Sequence, residues 1–190
     1  MHATRARCTL SLMKTSVAAV LLLACAAVLA QENPKVRRYT VAEHGVLKLS
    51  VPPEWTERVE SERGMPPTIV LSSPDGKVLV QVTALWSPDG DATFNSTENI
   101  HAGVAQAAEA VQPTAVEQKL VLRPLKTASG EGRFFWATDR APKAGEYEYM
   151  ANGAVPAGQL LLSFTVLTHV QPPAGIEEGL AVVASAVHER

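Results

Sequence analysis

The side chains best suited to chemistry in this 190-residue chain are scattered rather than grouped into a catalytic motif. The histidines His44, His101, His169 and His188 stand far apart, and neither H-E-x-x-H nor H-x-H spacing occurs. A metal site needs several ligands together, so each of these is more often a surface residue than a ligand. No G-x-S-x-G or S-x-x-K sequence follows residue 30, which leaves a serine hydrolase unsupported. We therefore predict no catalytic, metal-binding or cofactor-binding residues.

One stretch is partly similar to a calcium-binding loop. The sequence "DGDATFN", residues 89–95, places oxygen-bearing side chains at alternate positions. Phe94 stands where such a loop needs glycine, and Ile100 stands where it needs a bidentate glutamate. These two departures favour a solvated approach to a helix over a calcium site.

Charged residues are concentrated in the segment "DRAPKAGEYE", residues 139–148. It connects two predicted strands, and binding residues are often found on such connections. The sequence makes these residues a possible partner surface: Asp139, Arg140, Lys143, Glu146 and Glu148. The alternative is a solvated loop with local ion pairs. Since Glu146 and Glu148 share one strand face, a carboxylate site also stays open.

Five of the ten aromatic residues lie around this segment, within residues 130–150. Because side chains alternate along a strand, Phe134 and Trp136 should share one face and Phe135 should point to the other. If the segment closes a hairpin, Trp136 should lie opposite Tyr149. We expect these aromatics to be packing residues under a helix, with a ligand platform as the alternative.

The first thirty residues have the pattern of a secretory signal peptide. Residues 1–14 are basic without an acidic residue, residues 17–30 are continuously apolar, and the chain then becomes polar. The apolar run is shorter than the about 20 residues that a membrane span needs. We predict cleavage after Ala30 and a periplasmic or secreted location. A lipid anchor at Cys25, after "LLAC", is the alternative.

Removal of this segment changes the composition. Both cysteines, Cys8 and Cys25, would be lost with it, so the exported chain would have no disulfide and no thiol nucleophile. Fourteen basic residues would remain against nineteen acidic ones, a net charge of −5 that argues against nucleic-acid binding. We predict a flexible tail over residues 31–38 and a single domain over 39–190.

The periodicity of apolar residues predicts both strands and helices. Alternation indicates strands over residues 46–51, 68–72, 77–86, 118–125, 132–138, 147–152 and 159–168. Apolar stripes at helical spacing indicate one helix from Asn95, ended by Pro113, and a last helix after Pro173 that runs through Val187. Each stripe must be buried, so the sequence predicts an α+β fold, a largely antiparallel sheet of six or seven strands flanked by helices on both faces.

Several segments of the sequence resemble those of the PsbP-like group, which includes the bacterial DcrB-like envelope proteins and the Ran-binding Mog proteins. They include "LKLSVPPEWTE", "TIVLSSPDGKVLVQVTAL" and "LLLSFTVL". The resemblance implies an α/β/α sandwich without a shared catalytic motif or cofactor. It also implies a non-enzymatic periplasmic binding or accessory protein of the cell envelope, whose partner is another envelope protein. The alternative function is a small envelope hydrolase with an unrecognised carboxylate site.

Overall fold

The computed structural model describes residues 33–62 and 65–190, and these residues form two antiparallel sheets and two α-helices. The large sheet has seven strands in the order β3-β4-β5-β9-β8-β7-β6, and the small sheet has the order β1-β2-β10. The helices are α1 (Thr97–Val111) and α2 (Ala174–Ala184). The strands are β1 (Lys35–Val41), β2 (Gly45–Val51), β3 (Thr56–Glu60), β4 (Thr68–Ser72), β5 (Val78–Leu85), β6 (Arg123–Thr127), β7 (Gly130–Thr138), β8 (Tyr149–Ala157), β9 (Leu160–Thr168) and β10 (Val187–Glu189).

The predicted fold class is confirmed. The chain is α+β, every strand pair in the large sheet is antiparallel, and one helix packs on each face. The prediction did not include the small sheet. Strands β1, β3 and β10 were missed because their sequences are short or charged and show little apolar alternation.

The two faces of the large sheet have different surroundings. The α2-side face, which carries Val80, Phe134 and Leu162, packs against α2 and the small sheet. The α1-side face carries Phe135 and Leu161. The prediction that Phe134 and Phe135 point to opposite faces is therefore confirmed.

The predicted cross-strand register is wrong by two residues. Trp136 lies opposite Ala151, and Tyr149 lies opposite Thr138. Strand β8 begins only at Tyr149, so the loop before it is longer than the sequence pattern indicated. Trp136 is half-buried, and the Arg123 guanidinium carbon lies 4.0 Å from the centroid of its ring. Arg123 thus covers part of the ring that we expected a helix to cover.

Helix α2 approaches the sheet closely because two small residues face it. A Cβ atom added at Gly179 would lie 2.5 Å from Val166 Cγ1, and one at Gly175 would lie 2.4 Å from Thr168 Oγ1. Neither contact is possible for a real side chain, so both glycines are needed for this packing. Helix α2 ends at Ala184, and Val187 begins β10 rather than extending the helix as predicted.

Helix α1 begins one residue later than the sequence pattern indicated. Ser96 is the N-cap, and its Oγ accepts a hydrogen bond from the Asn99 amide at 3.3 Å. The side chain of Asn95, the expected cap, donates instead to the backbone oxygens of Gly158 and Leu160. The buried side of the helix packs on β7 and β8 through Ile100, Val104 and Ala108.

The half of the α1-side face formed by β4, β5 and β9 is more open than the half under α1. Its side chains on β5 and β9 are half-buried, whereas their neighbours on the other face are buried. Thr68 Oγ1 and Thr83 Oγ1 pair across β4 and β5 at 2.9 Å, and at the border with β8 Asn152 Nδ2 donates to Thr165 Oγ1 at 3.0 Å. We refer to this surface as the open half-face.

The predicted tail over residues 31–38 is wrong from residue 35 onward, where β1 begins. Arg37 Nη2 donates to the backbone oxygen of Trp55 at 2.6 Å, and Arg37 Nη1 lies 3.1 Å from Glu57 Oε2. The Tyr39 hydroxyl donates to the same carboxylate oxygen at 2.7 Å. Burial and this acidic partner raise the pKa of Tyr39. These contacts attach β1 to β3 of the large sheet.

The strand predicted over residues 118–125 forms only from Arg123 onward. Leu120 is instead buried below α1, and its amide donates to Gln112 Oε1 at 2.8 Å. The apolar side chain of Leu120 is therefore buried although the residue does not belong to a strand. The predictions of a signal peptide, cleavage after Ala30 and lipidation of Cys25 concern residues outside the described part of the chain.

Candidate functional site

The predicted partner surface lies on the connection between β7 and β8, which we call the β7–β8 loop, residues 139–148. Its start is attached to the segment that follows α1. Asp139 pairs with Ala115, the Arg140 amide donates to the Thr114 oxygen at 3.0 Å, and Arg140 Nη2 donates to the Ala115 oxygen at 2.6 Å. The Arg140 side chain therefore stabilises the loop, whereas we had expected it to be free for a partner.

The tip of the β7–β8 loop is a charged turn. The Lys143 amide donates to Glu146 Oε2 at 3.1 Å, and the two side chains form an ion pair at 3.8 Å. The Asp139 carboxylate accepts a hydrogen bond from the Ala141 amide at 2.9 Å. All three side chains, and that of Glu148, are exposed. The structure thus places the five predicted residues on one loop, with four of them open to solvent through their charged groups.

The end of the loop is attached to the β4–β5 turn through Tyr147. Its hydroxyl donates to the Gly76 oxygen at 3.1 Å, and its ring stacks on His169 with the centroids 4.4 Å apart. Gly76 has φ +69°, a left-handed conformation that the tight turn requires. The loop is therefore attached to neighbouring elements at both ends, on either side of its charged tip.

A second feature was missed by the sequence analysis because its residues are far apart in the chain. Glu54, Asp75 and Glu178 line one cleft of about 320 Å³. Partial burial and the negative charges of Asp75 and Glu54 raise the pKa of Glu178. Hydrogen bonds from the Lys77 amide and the Ser73 hydroxyl lower the pKa of Asp75 to about 2. We call this feature the carboxylate cleft.

A third feature is a groove at the opposite end of the large sheet from the β7–β8 loop. The loop contacts the β4–β5 turn, which precedes β5, whereas Trp86, which lines the groove, follows the end of β5. This groove, of about 360 Å³, lies beside Trp86, and we call it the Trp86 groove. The ring of His44 stacks on Trp86 with the centroids 4.4 Å apart. His188 lies beside the same groove, so the fold brings together two histidines that the sequence separates widely.

The calcium-like segment forms local hydrogen bonds. Asp91 Oδ1 accepts from the Thr93 amide at 2.8 Å and from its hydroxyl at 2.9 Å, and these bonds lower the pKa of Asp91. Across residues 33–62 and 65–190, no group of three His, Cys, Asp or Glu residues is placed to hold a metal ion. Neither helix of these residues has the length and apolar character of a membrane span.

Comparison with known proteins gives a structural likeness only. No family model matches the chain, and no curated protein gives a significant sequence match. Cyanobacterial PsbP (CyanoP) from Synechocystis sp. PCC 6803 is similar in structure, with a TM-score of 0.49 and 13% identity over 88% of this chain and 99% of CyanoP. A protein from Bacteroides thetaiotaomicron VPI-5482 also has a TM-score of 0.49, with 12% identity over 76% of this chain. This chain spans less than half of that protein, covering 45% of its length.

These superpositions do not say what the chain binds. The fold class rests on the strand pairing of the chain itself, and the narrower resemblance to DcrB-like and Mog proteins stays a prediction.

Proposed function

We propose that this chain is an exported, non-enzymatic accessory protein of the cell envelope, and that it binds another envelope protein through the β7–β8 loop. One observation carries the proposal: the loop is attached to other elements at both ends while its charged tip is exposed. Holding a loop in place before binding lowers the entropy lost on association. Exposed charges of both signs favour specificity for a partner of complementary charge.

The sequence supports the location and the class of function. The basic, apolar and polar order of residues 1–31 is that of an export signal, and the resemblance to PsbP-like proteins implies an accessory role. We expect the processed chain to begin at Gln31. Measurement of its intact mass tests this, and a mass corresponding to acylated Cys25 would establish the lipid-anchored alternative instead.

Site-specific cross-linking tests the proposed surface. A photoactivatable residue at position 146 should cross-link to an envelope protein in intact cells, whereas the same residue at position 109, an exposed site on α1, should not. Equal cross-linking at both positions would contradict the proposal.

Binding measurements with the purified partner then separate recognition from stability. Changing Lys143 and Glu146 to alanine should weaken binding about tenfold, since both lie at the exposed tip. Glu109→Ala is the matched control and should leave binding unchanged. A double variant that binds as tightly as the wild type would exclude the loop as the partner surface.

A hydrolase remains the second candidate because of the carboxylate cleft. Two carboxyl groups with pKa values shifted in opposite directions, Glu178 upward and Asp75 downward, line this cleft, and some hydrolases use such a pair as acid and base. However, Asp75 already bonds to Ser73 and Lys77 in its own turn, which favours a structural role. Hydrolysis of chromogenic ester, phosphoester or glycoside substrates that is lost in Glu178→Gln would favour the hydrolase.

A further inference from the structure

The Trp86 groove is built from four separate parts of the fold. They are the β1–β2 turn, the β5–α1 connection, the β8–β9 turn and β10. Its volume of about 360 Å³ falls in the range of small-ligand sites, which is roughly 300–1,000 Å³. The lining includes Trp86, Asp91, Asn95, Gln159, His188 and Arg190.

Hydrogen bonds hold these parts together without a ligand. The Asn95 side chain joins the β5–α1 connection to the β8–β9 turn by donating to Gly158 and Leu160 at 2.9 and 3.1 Å. His188 Nε2 lies 2.5 Å from the His44 oxygen, and its Nδ1 accepts from the Gln159 amide at 3.3 Å. The two ring nitrogens of His188 thus contact two different parts of the fold, the β1–β2 turn and the β8–β9 turn. The groove is therefore formed before any ligand binds.

The groove combines an aromatic wall with polar side chains. Trp86 and His44 are stacked and both are half-buried, so part of the pair faces solvent. Asp91, Gln159 and Arg190 are exposed around it, and the Asp91 carboxylate, which already accepts from Thr93, keeps lone pairs for a further donor. An aromatic face attracts the partly positive C–H groups of a flat ligand. Carboxylate, amide and guanidinium groups can each bond to adjacent hydroxyls.

Charge indicates what such a ligand would be. Asp91 and Arg190 contribute one charge of each sign to the lining. An anionic ligand would meet Asp91, and a cationic one would meet Arg190, whereas a neutral ligand with several hydroxyls matches both. We propose that the Trp86 groove binds a saccharide, with one sugar ring against the Trp86–His44 pair and its hydroxyls bonded to Asp91, Gln159 and Arg190.

This site is separate from the β7–β8 loop and does not depend on the proposed accessory function. The two lie at opposite ends of the large sheet. Strand β8 runs from the loop at Tyr149 to Ala157, next to the groove.

Nuclear magnetic resonance of the processed chain tests the proposal. Neutral disaccharide probes, namely maltose, cellobiose and N,N′-diacetylchitobiose, are titrated while the indole N–H signals of the three tryptophans are followed. We expect saturable shifts of the Trp86 signal with at least one probe, and none at Trp55 or Trp136. Absence of any shift at Trp86 with all three probes at high millimolar concentration would overturn the proposal.

Variants assign the binding to the groove. Gln159→Ala removes an exposed side chain and should preserve the fold, yet weaken the responding probe about tenfold. Trp86→Ala should abolish binding, although it also removes core contacts. Trp136→Ala, on another part of the sheet, is the control and should bind normally. Unchanged affinity in Gln159→Ala would overturn the proposed contact.

A parallel titration with inorganic phosphate excludes the main alternative. We expect phosphate to leave the groove signals unchanged because the charges of Asp91 and Arg190 offset each other. If phosphate shifts the Trp86 signal and no disaccharide does, the groove is an anion site and the saccharide proposal is wrong.

Discussion

Strands β5 and β7 both contribute to the α1-side face of the large sheet, yet their side chains have different surroundings. Phe135 on β7 lies under α1 and is fully buried, whereas Leu79 on β5 is half-exposed on the open half-face. A helix with its side chains is about 10 Å across, and neighbouring strands are about 4.8 Å apart. One helix therefore covers about two strands. The prediction of a helix on this face is correct, yet α1 covers only about half of the face, and the half formed by β4, β5 and β9 stays partly open.

The largest expected effect is at Phe135. Changing it to alanine should lower the free energy of unfolding by about 3–5 kcal/mol, because the ring is fully buried between β7 and α1. Leu79→Ala is the matched change on the open half-face and should cost about 1 kcal/mol or less. Chemical denaturation measures both values. Equal losses would mean that the open half-face is covered by something absent from this structure.

On the opposite, α2-side face, removal of a buried side chain of α2 should also lower the stability strongly. Leu180 is buried between α2 and the sheet, so Leu180→Ala should cost about 2–5 kcal/mol. Val104→Ala on α1 removes a smaller side chain and should cost less. A denaturation midpoint that Leu180→Ala leaves unmoved would show that α2 does not stabilise this face.

Trp136 lies on the α2-side face and is only partly covered by the rest of the protein. Trp136→Ala should cost about 1–3 kcal/mol, less than a fully buried ring, because Arg123 covers it only in part. Thermal unfolding measures this loss, and Arg123→Ala should reproduce a small part of it. If Trp136→Ala instead keeps the melting temperature and abolishes partner binding, the aromatic row is a binding platform.

The smallest effect is expected at Glu178, on the solvent side of α2, and it depends on pH. Its raised pKa means that the folded state holds the proton more tightly than the unfolded state. This favours folding fully below about pH 4, and the contribution is lost as the pH rises through the folded pKa. Glu178→Gln should therefore be more stable than the wild type at pH 7 and equal to it at low pH. Denaturation at both pH values tests this, and a variant less stable at pH 7 would contradict it.

The sequence predicted the features that depend on the periodicity of apolar residues, namely strand positions and the faces on which side chains lie. The strand Thr68–Ser72 was placed at its observed bounds, and the opposite orientation of Phe134 and Phe135 follows from alternation alone. Strand β3 was missed because "TERVE" is exposed at every position, as an edge strand can be. Register also failed, since the length of the β7–β8 loop depends on contacts such as that of Tyr147 with Gly76.

The candidate sites were harder to predict than the fold. The five charged residues of the β7–β8 loop lie within one short segment, residues 139–148, so composition alone drew attention to them. The anchoring role of Arg140 depends on Ala115, which is 25 residues away in the chain. Trp86 and His188 line one groove because β10 pairs with β2. Sites assembled from distant segments leave no local pattern that periodicity or motif spacing could detect.

The position of β2 bears on the order in which this protein can fold during synthesis. Its two neighbours are β1, which starts at Lys35, and β10, which ends at Glu189. A growing chain can form the β1–β2 hairpin early, but the other edge of β2 stays open until residues 187–189 have been made. Leu47 and Leu49, fully buried in the finished protein, pack beside that edge. The small sheet therefore stays incomplete until residues 187–189 are available to pair with β2.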